Sequence, residues 1–193
     1  RPPLITLGIP LFWGGMNWQQ LTTGLTPELL LLTLRTLGLA LAATLLAGLA
    51  ALLLAIAKRW SRARWLRGVT FLAGMGYAIP GAVLALALLV IGAPWQLSPI
   101  LLLLWGYSDR FLAVNKGGID AALERLSPSL DEAATGLGLR WPAVLKRVHL
   151  PLLRGPILVG SLLVFVDTVK ELPLTFALRP FDFDTLAVRV FQY

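Results

Sequence analysis

The sequence predicts an all-α integral membrane protein, a helical bundle with a long structured loop on its cytoplasmic side. Three observations carry this. The 193 residues are 57% hydrophobic and only 14% charged, where soluble domains run near 25% charged. Long uncharged runs follow one another along the chain. The basic residues gather in alternate connections between those runs. Disorder and a disulfide-stapled scaffold are excluded by the same composition, since Cys is 0. One histidine, His149, without any Cys makes no metal site of familiar ligand count, so no metal and no bound cofactor are expected.

Taken in order, Leu4–Met16 is apolar but short, and Pro10, Gly14 and Gly15 interrupt it. Residues 1–18 therefore read as the end of a preceding segment. A transmembrane domain over 29–193 follows, with spans at about 29–57, 69–92, 99–114 and 155–171. Thr36–Ala57 carries no charge, and its 22 residues at ~1.5 Å rise give roughly 33 Å, enough for a hydrocarbon core of about 30 Å. Val69–Gly92 is equally uncharged, whereas Pro99–Val114 contains Asp109 and Arg110, read as a local pair or a snorkelling arginine. Arg35 reads as a snorkelling anchor. Trp13, Trp18, Trp60, Trp65 and Trp95 fall near span ends, as interfacial anchors do. Gly74, Gly76 and Gly81 around Pro80 predict close helix packing by default, with a kink lining the path as the alternative.

Lys58, Arg59, Arg62, Arg64 and Arg67 crowd one short connection, and Lys116, Arg125, Arg140, Lys146, Arg147 and Arg154 lie in the loop 115–154. Those eleven of 17 basic residues mark the cytoplasmic side, which leaves the uncharged link Ala93–Ser98 outside. The formal charge of +7 is thereby explained by orientation, without nucleic acid.

Within the inner loop, Ser129 and Glu132 have the spacing of a capping box. They predict a helix over Leu130–Leu137, ended by a left-handed Gly138. Pro142 suits the first turn of a second helix running to about Val148, with Leu150-Pro151 as its break. Asp167, Lys170 and Glu171, at i, i+3 and i+4, should share a helical face near the end of the last span. Ionisable groups at membrane depth face a pathway or each other, so these three and Asp109 are candidates for a translocation path.

Glu132-Ala133-Ala134, three residues, Gly138, nine residues, Val148, one residue, Leu150-Pro151 resembles the E-A-A-x3-G-x9-I-x-L-P loop of ABC importer permeases, with Val148 for the usual isoleucine. The resemblance implies the MetI-like helical bundle of binding-protein-dependent permeases in a bacterial inner membrane, and makes these seven residues the loop that docks on a dimeric ABC ATPase. The ATPase is another polypeptide. None of Lys58, Lys116, Lys146 or Lys170 follows a glycine, as a phosphate-cradling Gly-Lys step requires, and ATP is used by that partner alone. Tyr77-Ala78-Ile79-Pro80-Gly81, Lys170-Glu171-Leu172-Pro173, Arg179-Pro180-Phe181 and Phe183-Asp184-Thr185-Leu186-Ala187 resemble segments of iron(III)-type permeases. They imply ferric iron handed over by a periplasmic binding protein, with 2-aminoethylphosphonate, thiamine or polyamine as the alternative cargo. The chain is similar to the second half of such a permease without its final span. It would be completed by a second half or protomer and surrounded by membrane lipid. A membrane-embedded enzyme is the rival class, but the only acids within the spans are Asp109, Asp167 and, at the final residue of the last one, Glu171, and no nucleophile–base pair accompanies them.

Overall fold

The computed structural model describes residues 27–61 and 63–192. The run Leu4–Met16, the anchors Trp13 and Trp18, and Arg62 lie outside the described residues. All regular elements among those described are helical. They are α1 (Pro27–Trp60), α2 (Arg64–Met75), α3 (Gly81–Gly92), α4 (Pro99–Glu124), α5 (Pro128–Gly136), α6 (Trp141–Val144), α7 (Leu150–Lys170), α8 (Pro173–Leu178) and α9 (Leu186–Phe191).

Three long helices, α1, α4 and α7, form the bundle's centre. The reason is visible in α1. Ala40, Ala43, Ala47, Ala51 and Ala55 fall on one face and are buried, while Leu41, Leu45, Leu49 and Leu53 on the opposite face are exposed. Small side chains at helical spacing let helix backbones approach closely. The partners answer in kind: a Cβ on Gly160 of α7 would lie 2.5 Å from the Asn115 Oδ1 of α4. One apolar cluster gathers Ala43, Leu88, Leu103, Tyr107, Val164 and Leu174 from five helices, and a second packs Ala51 and Ala55 against Ile119, Leu123 and Leu153.

Among the described residues, two helices are long and apolar enough to cross a membrane: Pro27–Trp60, and the continuous stretch Trp141–Lys170. The 34 residues of α1 span roughly 50 Å, more than a hydrocarbon core needs. The third predicted run also extends, since α4 continues past Val114 to Glu124. The run over 69–92 is corrected. It is not one helix but α2, a 3₁₀ turn at Gly76–Ala78, an extended Ile79 and then α3. Pro80 supplies the cause, because a residue before proline is pushed out of the α region and Ile79 has φ −78° and ψ 128°. Gly76 allows the tight approach there, since a Cβ on it would sit 2.3 Å from the Asp109 carbonyl oxygen.

At the other end of the last long helix, α8 and α9 fold back beside the start of α1. Arg35 is a crosslink rather than a snorkelling anchor. Its Nη1 donates to the Asp182 carbonyl at 3.0 Å and its guanidinium lies 5.4 Å from the Phe183 ring centre. The Leu186 amide donates to Thr36 Oγ1 at 2.9 Å, and Arg179 pairs with Asp184.

Candidate functional site

Two constellations hold the charged residues that the sequence singles out. The first is the elbow after α4. Its opening helix starts two residues earlier than the capping-box reading, because Pro128 takes the first helical position and Ser127 becomes the N-cap. Ser127 Oγ accepts from the Ser129 amide at 3.3 Å. Gly138 ends the turn as predicted, with φ +83°. The Leu139 amide donates to Ala134 O at 3.1 Å and the Gly138 amide to Thr135 O at 2.9 Å, the paired bonds of a Schellman stop.

The expected break at Leu150-Pro151 is absent. α6 runs through a π turn at Leu145–His149 straight into α7. Pro151 has no N–H to give to a carbonyl four residues back, and the wider turn lets the Leu150 amide reach Leu145 O instead. Of the predicted pattern residues, Glu132, Ala133, Gly138 and Pro151 are exposed, Ala134 is buried, and Val148 and Leu150 are half-buried. Leu137 at the elbow's tip is 84% exposed.

The elbow is gripped by residues that the sequence reading did not single out as a site. Arg59, near the end of α1, donates from Nε to Asp131 Oδ2 at 2.7 Å and from Nη1 to the Leu123 carbonyl at 2.8 Å. Its remaining contacts reach the Leu126 and Ser127 carbonyls, each at 3.3 Å. One guanidinium thus closes the C-terminus of α4 and holds the first turn of α5. From the other side, His149 Nε2 lies 2.9 Å from Asp131 Oδ1, close enough for an ion pair but without hydrogen-bond alignment. Trp60 joins them. It packs against Trp141 at 4.9 Å and His149 at 6.0 Å between ring centres, so it belongs to the elbow rather than to an interfacial girdle. Trp65 and Trp95 are exposed. The available signal was the spacing of Asp131 and Ala134, which puts an acid on the packed face of a short helix. Which cation would meet it, 72 residues away, the sequence does not encode locally.

The second constellation lies where two helix interruptions meet. α7 ends at Lys170, and Glu171 is extended with ψ 119°. Glu171 therefore leaves the face it was predicted to share: Lys170 Nζ pairs with Asp167 Oδ1 at 2.8 Å, while Glu171 turns inward. Its Oε1 accepts from the Leu174 amide at 3.4 Å and would lie 2.8 Å from a Cβ on Gly81. Arg110 of α4 reaches both interruptions. Nη1 donates to the Ile79 carbonyl, and Nε stands 3.7 Å from Glu171 Oε2, an ion pair too long for a hydrogen bond. Arg110 thus pairs away from its neighbour Asp109 and does not snorkel. It sits about 16 Å along α4 from its first residue, well inside the bundle. Beside it, Tyr107 and Thr175 hydrogen-bond through their hydroxyls.

No protein family model matches the chain. Over 120 residues, 61% of the chain, it is 25% identical to the Fe(3+)-transport system permease protein FbpB 2 of Haemophilus influenzae, and the match spans 24% of that protein.

Proposed function

We propose that this chain is part of the membrane-spanning permease subunit of an ATP-driven importer, with ferric iron from a periplasmic binding protein as cargo. It is a transporter piece rather than an enzyme, and ATP hydrolysis falls to a separate dimeric ABC ATPase. One observation carries the reading. The Glu132–Pro151 pattern is folded as helix, left-handed glycine and returning helix, with Glu132, Ala133 and Leu137 facing outward at the end of the bundle where Lys58 and Arg59 collect. The small Ala133 allows close approach of a docking groove, Glu132 offers a charge at its rim, and the continuous Trp141–Lys170 helix carries a push at the elbow into the bundle. The distant likeness to an Fe(3+)-transport permease supports the same reading.

Closure of the two ATPase subunits would draw the elbows of two permease halves or protomers together and open the path outward. Hydrolysis would reset it. The path runs past Asp109 and Glu171, where the interruptions meet, with Asp167 and Lys170 at its margin. A tight iron site in the membrane is not needed, since transport rests on two states with different contacts.

The test is association with the ATPase in the intact protein. Glu132→Arg and Gly138→Pro should each abolish co-purification of that subunit, and retention by both overturns the reading. Uptake of labelled ferric iron by cells with and without the gene tests the cargo. Equal uptake removes iron and leaves 2-aminoethylphosphonate, thiamine and polyamine to be tried in the same assay.

A further inference from the structure

Asp131 sits one residue before the exposed Glu132, yet its side chain is only 13% exposed. Its two oxygens are addressed by different helices. Oδ2 takes an aligned 2.7 Å bond from Arg59 of α1, and Oδ1 faces His149, 1% exposed, at the junction with α7. Arg59 is itself fixed by carbonyls at the end of α4. A buried charge held by aligned bonds resists displacement, because moving it away leaves a desolvated ion uncompensated. We propose that Arg59, Asp131 and His149 are positioning residues that lock α5 to α1, α4 and α7, so that a displacement of the elbow moves the bundle as one body. This rests on the reading of α5 as the ATPase-docking segment.

The two grips differ in kind. Arg59 presents a planar fork that satisfies Asp131 and the helix-end carbonyls together, which a lysine ammonium cannot do. His149 touches the second oxygen without alignment, and its Nδ1 also has no hydrogen-bond partner among the described residues. The Arg59 bond is therefore the pivot, and the imidazole is the wall that limits rotation of α5 about it. Glu132, the next residue on α5 and turned about 100° from Asp131, is exposed and can meet a partner.

The experiment uses the full transporter with its ATPase, reconstituted in lipid. Nitroxides are placed at Gly136→Cys on α5 and Gly155→Cys on α7, positions where an added Cβ meets nothing within 4 Å. In the parent protein, Mg-ATP with vanadate should leave this distance unchanged to within about 2 Å. With Asp131→Asn or Arg59→Lys the ATPase stays bound but the same nucleotide should shift the distance by about 5 Å, the scale of a one-turn helix displacement. ATP consumed per labelled ferric iron carried should rise about tenfold. A purely structural defect would lower both in proportion and leave that ratio alone. An unchanged distance and ratio in these variants overturns the lock, as does a parent distance that moves equally far. If the Asp131 and Arg59 variants fail to fold, His149→Leu decides, with the same distance shift expected and a fixed distance overturning the proposal. Glu132→Arg and Gly138→Pro serve as the separate arm: retention of the ATPase by both sinks the docking reading, whatever the nitroxides report.

Discussion

At Gly76 and Gly138 the same residue type is required for two different reasons, and substitution separates them. A Cβ on Gly76 would press on the backbone of α4, 2.3 Å from Asp109 O and 2.9 Å from its carbonyl carbon. Backbone cannot swing aside as a side chain can, so the 3₁₀ turn Gly76–Ala78 must retreat from α4. Gly76→Ala should cost about 1–3 kcal/mol, as overpacking does. A Cβ on Gly138 meets nothing within 4 Å, but φ is +83°. There the cost is purely conformational, about 1–2 kcal/mol. Thermal unfolding in detergent should show a loss for both. Gly138→Asn, which tolerates the left-handed region, should recover much of its loss, whereas Gly76→Asn should be worse than Gly76→Ala. Equal behaviour of the two asparagine variants would refute this division.

Among elements, the meeting of interrupted helices at Arg110 is the feature whose energetics are most exposed to test. The Arg110 and Glu171 side chains are 17% and 11% exposed, so removing either one strands the other in a poorly solvated place. Arg110→Met and Glu171→Met should each destabilise by about 3–5 kcal/mol, while the double variant should lose far less than the sum. A double-mutant cycle on unfolding midpoints measures this, and strict additivity would mean that the pair does not act as one. How much of this region was legible is a matter of range. The long apolar runs that become α1 and α7 declare themselves by length and lack of charge, and Gly138 by the demand for a left-handed stop. The interruption at Ile79–Pro80 lies inside an uncharged run. Spans tolerate proline when neighbours satisfy the freed backbone groups, so the glycines around Pro80 allowed close packing or a kink and composition alone did not choose between them. Here the neighbour is Arg110, which donates to the Ile79 carbonyl from 31 residues away. Likewise the cap at Ser127 was hidden behind Ser129 until Pro128 was seen to occupy the first helical turn.

For the whole molecule, the decisive quantity is where the exposed apolar surface lies relative to the connections at the bundle's two ends. Leu41, Leu45, Leu49 and Leu53 on α1, Val83, Leu86 and Val90 on α3, and Leu158 and Leu162 on α7 all stand open. Such a surface is stable against hydrocarbon or another apolar helix, not against water. The connections at the two ends differ sharply. Lys58 pairs with Asp120 at 3.6 Å and Glu124 at 3.9 Å, and Arg59 with Asp131, at the end that carries the elbow. The opposite link between α3 and α4 is uncharged, with Trp95 at 76% exposure. Basic residues are held on the cytoplasmic side, so the elbow should face the cytosol and the α3–α4 link the exterior. Residues 1–193 contain no Cys, which makes the arrangement directly measurable with single introduced thiols. Ser98→Cys, in the exposed link, should react with a membrane-impermeant maleimide on intact spheroplasts. Gly136→Cys should react only after permeabilisation, and in inside-out vesicles the order should reverse. Labelling of both from one side would place both ends of α4 in the same compartment. Its 26 residues, roughly 39 Å of helix, would then lie along the membrane rather than through it, and the docking of an ATPase on α5 would lose its geometry.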